Sequence, residues 1–165
     1  MRQPERGNRP PWRTSHRCTA PPHRRSAPAT THNIMLLNQK LLDDLSVQAR
    51  ESERLRMNFN LHNALDAPAQ RLLNALEPGT LLPIHRHMHT AETYLLLRGK
   101  IRVMFYNASA YETESFLLDP LSGQYGIHIP AGQWHTLEVL EPGSVIFEVK
   151  DGPYRPLEPE DVLAP

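Results

Sequence analysis

The sequence predicts an all-β domain, a sandwich or barrel of short strands preceded by one short helix. Three observations carry that expectation. Residues 54–62 alternate without a break, with Leu55, Met57, Phe59 and Leu61 on one side and Arg54, Arg56, Asn58, Asn60 and His62 on the other, which is the period of a strand with one buried face. Short apolar runs then recur between turn signals as far as residue 149, the even spacing of a sandwich or barrel. A helical period precedes them at 38–49, where Leu37, Leu41, Leu42 and Leu45 share a face and Asn38 offers an N-cap.

Taken in order, residues 1–33 hold six prolines, seven arginines and almost no aliphatic side chains. Such a composition cannot bury enough apolar surface to offset chain entropy, so a disordered basic extension is expected. Met35 stands just before the first patterned residues, where an alternative translation start is an expectation. The formal net charge of zero hides an uneven balance: seven Arg face the single Glu5 in residues 1–33, and eleven basic face seventeen acidic groups afterwards. The basic segment has only Trp12 as an aromatic and no nucleic-acid-binding motif, so no nucleic-acid partner is expected. Cys18 is the only cysteine, which leaves residues 34–165 without a disulfide or a thiolate ligand. With no long apolar run and no apolar stretch of signal-peptide type, the expected location is cytoplasmic, with no membrane partner.

After the strand at 54–62, further strands are expected near 70–76, 80–87, 92–98, 100–106, 113–118, 125–129, 134–140 and 144–149. Glu77-Pro78-Gly79 and Glu141-Pro142-Gly143 place Pro and then Gly where a type II turn wants them. Arg98-Gly99-Lys100 reads as a tight hairpin, and Asp119 to Gly123 as a longer loop. The polar side of 54–62 is either solvent-facing or a pocket wall. Residues 155–165, Pro-rich and acidic, are expected to form a loose tail behind a domain spanning 34–154.

Chemistry concentrates between Gly79 and Gly99. His85 and His87 lie two apart, so on an extended segment they leave the same face and can close on one ion. A bend over residues 88–91 would return Glu92 toward them, with His89 as a substitute ligand in that loop. A second cluster, Pro130-Ala131-Gly132-Gln133-Trp134-His135, is a turn running into a strand whose second residue is histidine. Imidazole and carboxylate together suit first-row divalent ions such as Zn, Fe, Mn or Ni. His128 alternates with Ile127 and Ile129 and is expected to point outward.

The spacing G-x5-H-x-H-x4-E-x6-G over residues 79–99, followed by P-x-G-x2-H over residues 130–135, resembles the paired signature motifs of the cupin superfamily. The resemblance implies a single double-stranded β-helix, a jelly-roll barrel, and places His85, His87, Glu92 and His135 on four metal-ligand positions. Two positions depart from the pattern, Gln124 where the second motif opens with Gly and Val139 where it closes with Asn. Gly123 and Gly126 allow a shifted turn, and Val139 suits a barrel interior. Over residues 37–154 the chain also looks like the WbuC-type cupin fold metalloproteins of bacteria. Arg56 to His62, His85-Arg86-His87, Leu97-Arg98-Gly99, Ile129 to Thr136 and Phe147 to Tyr154 carry that likeness. That family's genes lie in or near O-antigen and other polysaccharide clusters, which implies a sugar or sugar nucleotide as ligand.

Around such an ion, Arg56, Asn58, Asn60, His62, Tyr94, Arg98 and Trp134 are candidates for substrate contact. Arginine grips phosphate or carboxylate, whereas Asn and Trp suit the hydroxyls and faces of a sugar. Trp134 reads equally as a cap on the barrel. The expected function is a metal-dependent cupin acting on a small polar molecule in polysaccharide metabolism, with isomerase and dioxygenase chemistry both open. The alternatives are a non-catalytic metal-dependent sensor of a small ligand, and a metal-free epimerase or isomerase with His85 or His135 as base. Exposed strands of small barrels commonly pair, so a homodimer is also an expectation.

Overall fold

Two antiparallel sheets of five strands each face one another across an apolar interior. The computed structural model describes residues 34–163, so the extension expected over 1–33 lies outside the described residues. The elements in chain order are α1 (Gln39–Glu51), β1 (Arg56–Asn60), β2 (Ala69–Leu76), β3 (Ile84–His85), β4 (Glu92–Arg98), β5 (Ile101–Tyr106), β6 (Glu112–Leu118), β7 (Gly126–Ile129), β8 (Trp134–Val139), β9 (Ser144–Asp151) and β10 (Val162–Leu163). One sheet runs β1-β2-β9-β4-β7 and the other β10-β3-β8-β5-β6. Setting aside the edge strands β1 and β10, this order is the eight-stranded jelly roll. Among the described residues no helix is long and apolar enough to cross a membrane.

Helix α1 starts where the sequence places it: the Asn38 side chain accepts from the Leu41 amide at 3.1 Å. Its apolar face does not enter the barrel. Leu45 and Ala49 pack with Leu73, Ala75 and Val145 on the outer face of the first sheet, joined by Met57, Phe59 and Phe147. The apolar side of β1 is therefore buried under the helix, which turns the opposite side, Arg56 and Asn58, toward the space between the sheets. The barrel interior is filled by Leu76, Leu96, Ile101, Val103, Phe105, Leu118, Ile129, Leu137, Val139 and Ile146. Each large apolar side chain buried in this way contributes about 1.5–3 kcal/mol. Val139 thus occupies the interior, and Gly123 takes the left-handed turn conformation at φ 84° one residue before Gln124.

Three expectations are corrected. The strand at 54–62 shortens to β1 because Leu55 adopts a left-handed φ of 53°, its carbonyl accepting from the Thr80 hydroxyl at 2.6 Å and the Glu77 amide at 3.0 Å. The strand at 80–87 contracts to Ile84–His85: Thr80 is tied to that turn, and Pro83 has no N–H to give a ladder. Over its described part, the segment beyond 154 is no loose tail. It ends in β10, paired with β3 through Val162↔His85 and Leu163↔Ile84, and Asp161 accepts from the Arg86 guanidinium at 3.1 Å.

Candidate metal centre

β3 and β8 are neighbours, and their single register pair is His85 with His135. The two imidazole centroids lie 4.3 Å apart. Glu92, the first residue of β4 in the opposite sheet, points inward to meet them, and one ligand atom from each of His85, Glu92 and His135 lies within 4.8 Å of the others. All three are buried. Residues 50 positions apart in the chain are thus brought together by strand order, as the two histidine motifs require.

Both histidines are fixed in the same way. His85 Nδ1 is 3.0 Å from the Pro83 carbonyl oxygen, and His135 Nδ1 is 2.9 Å from that of Gln133. A carbonyl only accepts, so in the neutral ring the proton sits on Nδ1 and the Nε2 lone pair is left free. That carbonyl contact is also the usual partner of a metal-ligating imidazole. His135 Nε2 then lies 2.6 Å from Glu92 Oε1, yet the two atoms do not meet with hydrogen-bond geometry and neither has another partner. A buried polar atom left unpaired costs about 1–3 kcal/mol. Two such atoms converging at one point, with a third imidazole nitrogen nearby, are what a divalent cation would satisfy, and the donor set fits one.

His87 stands beside this trio. Its ring centroid is 5.2 Å from that of His85 and 6.3 Å from that of His135, and its Nε2 lies 3.8 Å from Glu92 Oε2. His89 is exposed in the same loop. Burial, with the neighbouring His135 adding to it, lowers the His85 pKa from 6.5 to about 4, and burial lowers that of His87 as well. Burial works against the charge of Glu92, but His135, His87 and Lys150 outweigh it and hold the carboxyl below its usual range. The expected state at neutral pH, neutral His85 and His87 with an ionised carboxylate, is the one metal binding requires.

A cavity of ≈ 220 Å³ adjoins the cluster. Of the residues expected at a substrate, Arg56, Asn58 and Tyr94 line it, and Asn60, His62, Arg98 and Trp134 do not. The reasons are local. Trp134 alternates with His135 and so lies on the outer face of its sheet, where the Arg86 guanidinium stacks 4.4 Å from the ring centre. Arg98 donates to the Gly143 carbonyl, the Ser46 hydroxyl and the Leu42 carbonyl, tying α1 to the barrel. His62 Nδ1 accepts from the Arg71 amide at 3.1 Å and anchors the chain just after β1, while Asn60 is exposed near that end. His128 faces outward beside the Thr93 hydroxyl at 3.0 Å.

The cavity also receives residues that the sequence reading passed over: Asn74, Glu148, Lys150, Tyr154 and Arg155. Lys150 and Glu148 form an ion pair of 2.9 Å between largely buried side chains, and Lys150 is the register partner of Glu92. Acids around Lys150 outweigh the effect of burial and raise its pKa. A signal was present, since Ile146, Glu148 and Lys150 share one face of a strand whose opposite face carries Val145, Phe147 and Val149. Tyr154 and Arg155 had no such pattern and arrive with the C-terminal segment.

Residues 37–118 match a family described as a domain of unknown function, DUF6016. No curated protein matches the chain. Among solved structures the chain is similar to KdgF from Halomonas sp., at 17% identity and TM-score 0.48, over 61% of this chain and 80% of that one. It is similar to the Cnp3 cupin domain of Schizosaccharomyces pombe at 12% identity and TM-score 0.48, over 60% and 66%. A third likeness is to the capsular polysaccharide assembling protein CapF of Staphylococcus aureus, at 18% identity and TM-score 0.48; it covers 61% of this chain and 30% of that one.

Proposed function

We propose that the protein binds one divalent transition-metal ion, Zn, Fe, Mn or Ni, through His85, Glu92 and His135 with His87 as fourth ligand, and acts on a small polar molecule in the adjoining cavity. The observation that carries this reading is the convergence of His135 Nε2 and Glu92 Oε1, buried and without hydrogen-bond partners, on the face where His85 offers its own free nitrogen. When bound, the ion would supply Lewis acidity toward a carbonyl or hydroxyl oxygen, or lower the pKa of a bound water.

The chain's own groups would do the rest. The carbonyls of Pro83 and Gln133 hold the two imidazoles in one tautomer and one orientation. Tyr94 is buried, and burial together with the charges of Glu92 and Glu148 pushes its pKa well up, so it stays a neutral phenol able to donate a hydrogen bond. Asn58 and Asn74 present amides suited to hydroxyl groups. A volume of ≈ 220 Å³ falls below the ~300–1,000 Å³ of pockets that enclose drug-sized ligands, which favours a ligand of monosaccharide size over a whole sugar nucleotide. The assignment to polysaccharide metabolism rests on the resemblance to WbuC-type proteins.

Elemental analysis of protein purified without an affinity tag tests the reading. Close to one metal ion per chain is expected, falling to background in His85→Ala and His135→Ala; full retention by both variants overturns it. Incubation of the metal-loaded protein with monosaccharides and sugar nucleotides, read by mass and NMR, separates turnover from binding alone.

A further inference from the structure

The cavity beside the three converging ligands carries more positive charge than its own acids balance. Arg54, Arg56, Lys150 and Arg155 line it together with Glu92 and Glu148. Lys150 is paired with Glu148, and Glu92 is turned into the ligand cluster with His85 and His135. The three arginines are left without an acid of their own in the lining. Arg54 and Arg155 are exposed, so water alone can solvate them. Arg56 differs: it is part-buried and has neither a side-chain hydrogen bond nor an ion pair among the described residues. Burial, and after it the neighbouring Arg54, works against its charge, and Glu148, already paired with Lys150, offsets this only in part; a guanidinium nonetheless does not give up its proton in a protein. A partly desolvated cation in this position is stabilised by an anion and by little else.

A second unpaired atom stands close by. Asn74 is the register partner of Asn58, two residues along β1 from Arg56, and its side-chain oxygen is buried without a partner. It accepts, and so calls for a hydroxyl or N–H donor. The two unmet requirements, one for an anion and one for a donor, lie on adjacent strands of one cavity wall.

We propose that the cavity takes an anionic small molecule whose carboxylate or phosphate is held by Arg56, with Arg155 of the C-terminal segment as a second cation and a hydroxyl of the same molecule donating to Asn74. This deepens the metal-dependent reading above by naming the charge of the ligand, and it rests on that reading only for the other end of the molecule.

D-Glucose, D-glucuronate and D-glucose 6-phosphate differ only at carbon 6, and titration calorimetry of the full-length protein with each at millimolar concentration provides the test. At least one charged sugar is expected to bind about tenfold or more tighter than glucose, a difference of ~1.4 kcal/mol. Which of the two it is distinguishes a carboxylate ligand from a phosphate ligand. The advantage should vanish in Arg56→Gln, return in part in Arg56→Lys, and shrink in Arg155→Gln, while metal content stays at the wild-type level in all three. Equal binding of the three sugars, no binding of any, or a charge advantage that survives in Arg56→Gln overturns the proposal. Metal analysis of the same protein as purified keeps the two readings apart: a charge preference in protein that carries no metal before any chelator treatment sinks only the metal assignment, and metal without a charge preference sinks only this one.

Discussion

The two ends of the barrel interior are built by the same strands and do opposite things. Along the contact of β4 with β9, the inward rung Leu96 with Ile146 is apolar, Tyr94 with Glu148 is mixed, and Glu92 with Lys150 is ionisable. Along β8 with β5, Val139 faces Ile101 and Leu137 faces Val103 before His135 faces Phe105. Four residues of strand, about 13 Å, separate the two regimes. The closed end contributes the burial that holds the sheets together, and the polar end spends part of it by keeping charged and unpaired groups out of water. A site with three unmatched polar atoms, on Glu92, His135 and Asn74, is tolerable because it is confined to one end of an interior whose other end is apolar.

That contrast can be broken from either side. At the closed end, Ile101→Ala, which empties a fully buried position away from the cavity lining, should cost roughly 2–5 kcal/mol in urea denaturation while the remaining folded protein still binds metal in full proportion. Loss of metal at unchanged stability would show that the two ends are not separate. At the polar end the lever is acid. Because the folded chain lowers the pKa of His85 from 6.5 to about 4, the unfolded chain takes up that proton first. The stability this provides is whole above 6.5 and declines as pH falls toward 4, by about 3 kcal/mol at ~1.4 kcal/mol per unit. Glu92, held below its ordinary range, adds a loss at still lower pH. Melting of the metal-free protein from pH 7.5 to 4 should follow this course, and a flat profile would mean that His85 is not buried as described. The smallest effect is expected where the polar end is neutralised as a pair. Replacing Glu148→Gln and Lys150→Met together should change stability by no more than about 1 kcal/mol, because removing both partners of a buried pair leaves neither charge stranded. Either single replacement should cost more.

The same contrast explains what could be read in advance. Period-two alternation marked most of the barrel strands and which residues of each lie together, and β4 begins and ends where its apolar run predicts. The two-residue spacing drew attention to His85 and His87 because such residues leave one face of an extended segment, a bend over 88–91 suggested Glu92, and the second motif supplied His135. Alternation cannot say which face of a strand looks inward. For β1 the apolar face was taken by α1 and the polar face became the cavity wall, so Arg56 and Asn58 line it while Asn60, on the same side, sits at an open end. For β8 the inward face was claimed by His135, which sent Trp134 outside.

The sequence by itself determined most of the strands, the turns between them and the residue types suited to a cation, since these follow from local periodicity, from Pro and Gly chemistry and from ligand chemistry. Tertiary structure decided which histidines meet a carboxylate from the opposite sheet, that Glu148 and Lys150 share their chamber, and that the segment carrying Tyr154 and Arg155 lines it. The reason is physical: which face of a strand is buried, and what an end segment covers, depend on which other elements pack there, and no local pattern in the chain records that.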